Sequence, residues 1–316
     1  MKERLFEQRH AKHWKEAEQW LQDKAKPGPA LPEQLRRLAG HLAIARARRY
    51  SLALTDHLNQ LALTASQYLY SQGRAPRRQW RYFLWAWIPQ AVRENRSYVL
   101  WSALCFFLPL VLFTLLCWQS PTVTDQLLNP MQQEQFRTMY DPGADHWGVP
   151  RGMEDDWAMF GFYIFNNIRI DFQCFATGLL AGIGSLFFIV FNGLNIGAVA
   201  GFLSRVGCGQ PFWTFVAGHS APELIGAVLS GAGGLRLGLS WIHPGRYSRG
   251  EALRRAGRSV TPLIVAAASL TAFAAVIEAF VSSDPRLPPL LKFTLAATLW
   301  GLIPAYLLWG GRRHAH

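Results

Sequence analysis

Charge is scarce in this sequence: Asp, Glu, Lys and Arg make up 16% of its 316 residues, while 50% are hydrophobic. The four cysteines, Cys105, Cys117, Cys174 and Cys208, lie in or beside apolar segments and form no C-x-x-C, which argues against a disulfide framework or a thiolate metal site. The sequence contains no G-x-S-x-G, no H-E-x-x-H, no paired catalytic carboxylates at useful spacing and no Walker A loop. A hydrolase is therefore disfavoured, and any coupling to ATP has to come from a partner. The opening stretch MKERLFEQRHAKHW is charged throughout and the first long apolar run begins near Tyr98, so no secretory signal peptide is expected.

What charge there is has one sign and one place. Thirty-two Lys and Arg stand against 20 Asp and Glu, and residues 1–97 hold 18 of the former and 8 of the latter. The remainder is close to neutral and carries several apolar runs of about 20 residues, the pattern of membrane spans rather than of a DNA-binding domain. The expectation is an all-α polytopic membrane protein, with membrane lipid as a partner and nucleic acid excluded.

Residues 2–25 read as an amphipathic helix, with Leu5, Trp14, Ala17, Trp20 and Leu21 near helical spacing, ended by Pro27-Gly28-Pro29. A second helix is expected from Pro32 to about Tyr50. A third runs from about Leu52 to Tyr70, with Leu54, Leu58, Leu61, Ala62, Ala65 and Leu69 on one side. Residues 1–76 thus form a cytoplasmic helical module. Residues 77–97 place Trp80, Phe83, Leu84, Trp87, Ile88, Ala91 and Val92 between Arg77, Arg78, Arg81, Arg93 and Arg96, the pattern of a helix lying in the membrane interface and kinked at Pro89.

The transmembrane bundle is assigned to 98–311, starting with a span at 98–118. The loop 119–157 carries seven acidic residues against Arg137 and Arg151, and is placed outside. The loop 243–258 carries Arg246, Arg249, Arg254, Arg255 and Arg258, and is placed in the cytoplasm. An odd number of crossings must separate these loops. Residues 172–191 and 222–242 supply two, and 194–217, interrupted at Gly207-Cys208-Gly209-Gln210-Pro211, supplies a discontinuous third. Residues 260–281 and 289–309 bring the expected total to about six crossings, with Arg312 and Arg313 keeping the carboxyl end inside.

Small residues recur every fourth position at Gly193, Gly197 and Gly201, at Gly226, Ser230, Gly234 and Gly238, and at Ala267, Thr271, Ala275 and Ala279. Apolar side chains gain nothing by leaving lipid, so close backbone approach holds such helices together. The stripes predict either intramolecular packing or a homo-oligomer interface, with a dimer favoured.

Ionisable groups at membrane depth mark function by default. They are Asp171, Arg205, His219, Glu223, Arg236 and Glu278, with Asn166, Asn167, Asn192 and Asn195 as polar neighbours. His219 and Glu223 have two readings besides metal or acid-base chemistry. One is a capping box with Ser220 as N-cap and Pro222 in the first turn; the other is a substrate or partner site. A metal site needs more ligands, and no other His falls in the bundle core, so no metal is expected. Arg236 lies toward the opposite end of its helix from Glu278. Depth instead matches Glu278 to His219 and Glu223, with Asn166 and Asn167 nearby, and predicts a polar cluster in the outer half of the bundle.

Several segments together resemble the stage II sporulation protein M family: YIFNNIRIDFQCFATGLLAGIGSLFFIVFNGLNIGAVAGF, FWTFVAGHSAPELIGAVLSGAGGLRLG, IHPGRYSRGEAL and AVIEAF. LNQLALTASQYLY and WRYFLWAWIPQAVRENRSY extend the likeness toward the amino terminus. The family's recurrent features fall here on His219, Glu223, Gly231, Gly233, Gly234 and Glu278, and Ser220 stands where the family pattern has Gly. The resemblance implies a bacterial inner-membrane protein, its namesake being a component of a peptidoglycan-remodelling complex. Relatives' genes often neighbour AAA ATPases. It implies no biochemical activity and no cofactor.

Two functions follow as expectations: a non-catalytic membrane component or scaffold of a cell-envelope complex, with envelope or AAA ATPase partners, or a transporter, channel or lipid-moving protein built around His219, Glu223 and Glu278. An intramembrane enzyme is the third and weakest.

Overall fold

The structure, a computed structural model, describes residues 3–22, 31–71, 82–143 and 152–312, and it divides into two units, Met1–Arg81 and Tyr82–His316. The Pro27-Gly28-Pro29 punctuation, Arg77, Arg78, Trp80 and Arg81 of the interfacial segment, Arg151 and Arg313 lie outside the described residues. Among those described, every regular element is helical.

The first unit comprises α1 (Glu3–Gln22), α2 (Leu31–Ala47) and α3 (Leu52–Ser71). Its core is Phe6, Trp14, Ala17, Leu38, Ala45, Leu54, Leu58, Leu61 and Ala65. The buried face of α1 is centred on Phe6, not on Leu5, which is exposed. Phe6, His10, Trp14 and Ala17 follow one another at helical spacing, and only a stripe containing Phe6 aligns with both Trp14 and Ala17. The Trp14 indole donates to His41 Nδ1 at 3.2 Å, and Glu3 accepts from the Ser51 amide at 3.1 Å, fastening the start of α1 to the start of α3.

The second unit begins with a π-helical turn, Phe83–Trp87, that continues into α4 (Ile88–Glu94). The expected interfacial face divides in two. Ile88, Ala91 and Val92 are buried against the bundle, while Leu84, Trp85 and Trp87 remain exposed. Asn95 ends α4, donating to Ala91 O at 2.9 Å and to Ser259 Oγ at 3.0 Å.

Six long helices follow: α5 (Arg96–Gln119), α8 (Met153–Ala176), α9 (Ile183–Arg205), α10 (Gly209–Ile242), α11 (Arg249–Ile277, extended by a π turn Glu278–Ser282) and α12 (Pro289–Trp309). All but α8 are long and apolar enough to cross a membrane. Although α8 carries Glu154, Asp155, Asp156, Arg169 and Asp171, its 24 residues rise about 36 Å at ~1.5 Å per residue. It is the element that returns the chain: Gly193, Gly197 and Gly201 of α9 meet Phe106, Leu110 and Thr114 of α5 in the same order, so α5 and α9 are parallel. Consecutive long helices therefore alternate in direction. α10 is central, with 78% of its most apolar stretch buried against 11% for α5.

These boundaries correct the expected ones. Residues 172–191 are not one span, because the chain turns at 177–182, where Ala181 and Gly182 adopt left-handed conformations (φ 56° and 83°). Nor is 194–217 a discontinuous crossing. Gly207 (φ 87°) turns the chain between α9 and α10, each of which is long and apolar enough to cross by itself. The segment 119–157, expected outside, holds two short helices, α6 (Pro121–Leu127) and α7 (Pro130–Tyr140), the second opened by an Asn129/Gln132 capping box, and its last residues already belong to α8. Most of the expected loop 243–258 is the start of α11, capped by Ser248, with Glu251 pairing Arg254 and Arg255.

The glycine stripes are taken up within one chain. A Cβ at Gly193, Gly197 or Gly201 would sit 2.2–2.4 Å from carbonyl oxygens of α5. Gly226 abuts Thr271, Gly234 abuts Ser185 and Cys174, and Gly238 abuts the turn at Gly178 and Gly182. Ser230 hydrogen-bonds Asp171. The expected homo-oligomer loses the support these residues lent it. The same topology gathers Arg93, Arg96, Arg246, Arg249, Arg254, Arg255 and Arg312 at one end of the bundle, and Asp125, Glu134, Glu154, Asp155 and Asp156 at the other.

Candidate functional site

α10 passes unbroken through the residues that looked like a helix start. Pro222 lacks the N–H that would bond the Gly218 carbonyl, and an isolated helix would bend or break there. Here the turn is enclosed: Ala221, Pro222 and Ile225 are buried, and Gly218 lets α10 approach Ser282, whose Oγ would lie 3.1 Å from a Cβ at that position. The capping box is thus a misreading. The helix begins at Gly209, well before Ser220, whose hydroxyl donates to Ala217 O at 3.0 Å and accepts from Trp300 Nε1 at 3.1 Å. Glu223 caps nothing and lies one turn beyond His219 on the same face.

Glu278 arrives from α11, where it opens the π turn; such turns re-aim side chains and recur at functional sites. His219, Glu223 and Glu278 each present one ligand-type atom, all within 4.8 Å of one another. His219 Nε2 stands 3.7 Å from Glu223 Oε2. On the other side of the ring, His219 Nδ1 and Ser282 Oγ share a hydrogen bond of 2.9 Å, and Phe215 packs edge-on. Asn167 of α8 donates to Glu278 Oε2 at 3.5 Å and accepts from Asn166 at 3.1 Å. His219 and Glu278 are buried, and Glu223 is partly so.

A third carboxylate, outside the cluster, lies deeper along the same helices. Asp171 accepts from Thr271 Oγ1 at 2.5 Å and from Ser230. Between it and the cluster is a cavity of about 30 Å³, lined in part by Asn167, Asp171, Asn192, Glu223 and Thr271. That is room for a water molecule, not for an organic substrate. Asn192 lines this cavity but bonds its own helix, at Phe188 O.

Depth reckoned along each helix therefore located the main cluster: His219, Glu223, Glu278, Asn166 and Asn167 come together, with Asn192 at the edge. Arg236 lies apart as that reckoning required, donating to Tyr98 Oη at 3.0 Å. Three contributors were missed. Ser282 orients His219, Thr271 holds Asp171, and Lys292 donates to Ser282 O at 2.7 Å. Ser282 had a legible signal, one turn beyond Glu278, and Lys292 another, as a lone ammonium in an apolar span. Chemically the cluster offers an imidazole nitrogen and two carboxylates to a small positively charged species.

A bundle of glycine-packed apolar helices, alternating in direction along the chain around a buried His and carboxylate cluster, defines a polytopic α-helical membrane protein in contact with lipid. Residues 102–283, more than half of the chain, match the stage II sporulation protein M family, and the chain belongs to it. Residues 4–71 match a domain of unknown function, DUF8413, coincident with the first unit's three helices. No curated protein and no solved structure matches the chain.

Proposed function

We propose that this protein is a non-catalytic integral component, or scaffold, of a cell-envelope complex in the bacterial inner membrane, with both ends of the chain in the cytoplasm. The observation that carries this reading is the closure of the bundle. Glycines 193, 197, 201, 234 and 238 bring helix backbones into direct contact, and the cavity beside the polar cluster is about 30 Å³. Rigid, backbone-to-backbone packing suits a part that holds others in place. The arginine-rich end of the bundle supports a cytoplasmic placement for that end, following the positive-inside rule. The helical module at residues 3–71 supplies a surface for envelope or AAA ATPase partners.

The test is quantitative co-purification from native membranes, in mild detergent, read by mass spectrometry. Stoichiometric wall-modifying or AAA-type partners, lost when residues 1–70 are deleted, are expected. Recovery of the chain alone, together with ion or lipid flux in proteoliposomes, would replace this reading with transport. The specific feature favouring that second reading is a His and carboxylate cluster at membrane depth.

A further inference from the structure

The bland reading of two acids and a histidine in a bundle is a set of satisfied polar side chains, and their surroundings do not support it. Among the described residues, no Lys or Arg pairs with Glu223 or Glu278. Lys292, the nearest ammonium named above, is engaged with a backbone carbonyl instead. Glu278, 8% exposed, has a long 3.5 Å contact from Asn167 as its hydrogen bond. Buried carboxylates are otherwise found paired or coordinating a metal.

We infer that His219, Glu223 and Glu278 form a binding site for one divalent first-row transition-metal ion, of which Zn²⁺ is the best match. Ligand atoms bound to a tetrahedral Zn²⁺ at ~2.0–2.2 Å lie roughly 3.3–3.6 Å apart. The His219–Glu223 pair, at 3.7 Å, is already near that spacing, and the whole set is within 4.8 Å. Bringing the widest pair from 4.8 Å to that spacing requires a shift of about an ångström.

The second feature is the orientation of the histidine. A metal-bound imidazole commonly engages its other nitrogen in a hydrogen bond that fixes tautomer and ring plane. Here Ser282 Oγ holds Nδ1 at 2.9 Å, and Nε2 is the nitrogen left facing Glu223. The π turn places both Glu278 and Ser282 on the site, one as ligand and the other as the orienting group.

Nitrogen with oxygen ligands selects against Mg²⁺ and Ca²⁺, which take all-oxygen shells. Glu223 and Glu278 supply two negative charges, which one divalent ion balances. Bound there, the ion would join α10 to α11 across the bundle. This assignment stands independently of the scaffold reading, since a metal clamp serves a scaffold and a transporter alike.

The experiment uses the full chain, purified from membranes without chelator and measured for metal content by mass spectrometry. It is then stripped and titrated with Zn²⁺, Mn²⁺, Mg²⁺ and Ca²⁺ alone by equilibrium dialysis. About one transition-metal ion per chain is expected, with saturable Zn²⁺ uptake that Mg²⁺ and Ca²⁺ do not compete away. Glu278→Gln and His219→Gln should abolish uptake, and Ser282→Ala should weaken it roughly 10–100-fold. Asp171→Asn, a buried carboxylate outside the set, should leave it unchanged. Wild-type chain that purifies free of metal and takes up no Zn²⁺ overturns the assignment without recourse to any variant. So does uptake unaffected by Glu278→Gln, or uptake lost equally in a monodisperse, helical Asp171→Asn.

Discussion

Gly197→Ala adds one methyl group where α9 meets α5. That methyl would lie 2.4 Å from the Leu110 carbonyl oxygen and 3.0 Å from its Cα. Ordinary contact lies at about 3.5–4.0 Å, so the helices must separate by roughly 1 Å. The obstacle is backbone on both sides, and no side chain can rotate away. Gly193 and Gly201 sit in the same seam, against Phe106 O and Thr114 O, so the displacement spreads along it. Overpacking costs about 1–3 kcal/mol, at the upper end here, while Ala in place of Gly returns up to ~1 kcal/mol of helix propensity. The net expectation is a loss of about 1–2 kcal/mol. Cys117 supplies the assay, because it is fully buried in this seam beside Gly201. Its maleimide labelling during heating in detergent reports separation of the two helices, and should begin at a lower temperature in the variant. Gly301→Ala is the control, since nothing lies within 4 Å of the added methyl, and it should be neutral or mildly stabilising. Equal labelling temperatures for the two variants would refute the argument that glycine is required by backbone contact.

Two other perturbations follow from the packing. Thr271→Val keeps the shape of the side chain but removes a hydroxyl that donates to Asp171, leaving that carboxylate with Ser230. A loss of about 1–3 kcal/mol in the same heating assay is expected, and an unchanged midpoint would show that Thr271 does not hold Asp171. In the first unit, burial, followed by the charges of His10, His13 and Arg37, holds the His41 pKa below its ordinary 6.5. The folded unit therefore binds protons less readily than the unfolded chain, so stability falls as pH drops through 6.5 and below. Protonation also displaces the Trp14 N–H from His41 Nδ1. Amide exchange in residues 3–71, corrected for intrinsic rates, should lose protection between pH 7.5 and pH 5.5, and His41→Gln should flatten that dependence.

Apolar runs and the placement of arginine revealed a helical membrane bundle, but not where its helices end. The turn at 177–182 is made of Thr, Gly, Leu, Leu, Ala and Gly, and it docks onto Gly234 and Gly238. Hydropathy passes over such a turn because it is as apolar as the spans on either side. α8 escaped notice for the opposite reason: its acids and Arg169 lower its hydropathy, though Asp171 and Asn167 find partners inside the bundle. Pro222 misled because local rules assign proline to a helix start, whereas here the packing around it carries the helix through. The polar cluster was legible because the rise per residue in a helix is constant, so depth could be compared between spans without knowing which helices touch. The place of Ser282 one turn beyond Glu278 was legible in the same way, but its contact with His219 was not, since that depends on the π turn that sequence periodicity does not mark.

The partners of Asn167 and Asp171 lie 111 and 100 residues further along the chain. When α8 emerges during synthesis, neither Glu278 nor Thr271 exists, and α8 on its own is too polar to settle in hydrocarbon. Insertion in simple order, one span after another, is therefore closed to this chain. The expected order is that α8 waits at the membrane surface or in the insertion machinery while α9, α10 and α11 are made, and enters between them afterwards. Truncations ending before Thr271 should accordingly leave α8 outside the bilayer, open to water-soluble labels, whereas chains reaching past Ser282 should protect it.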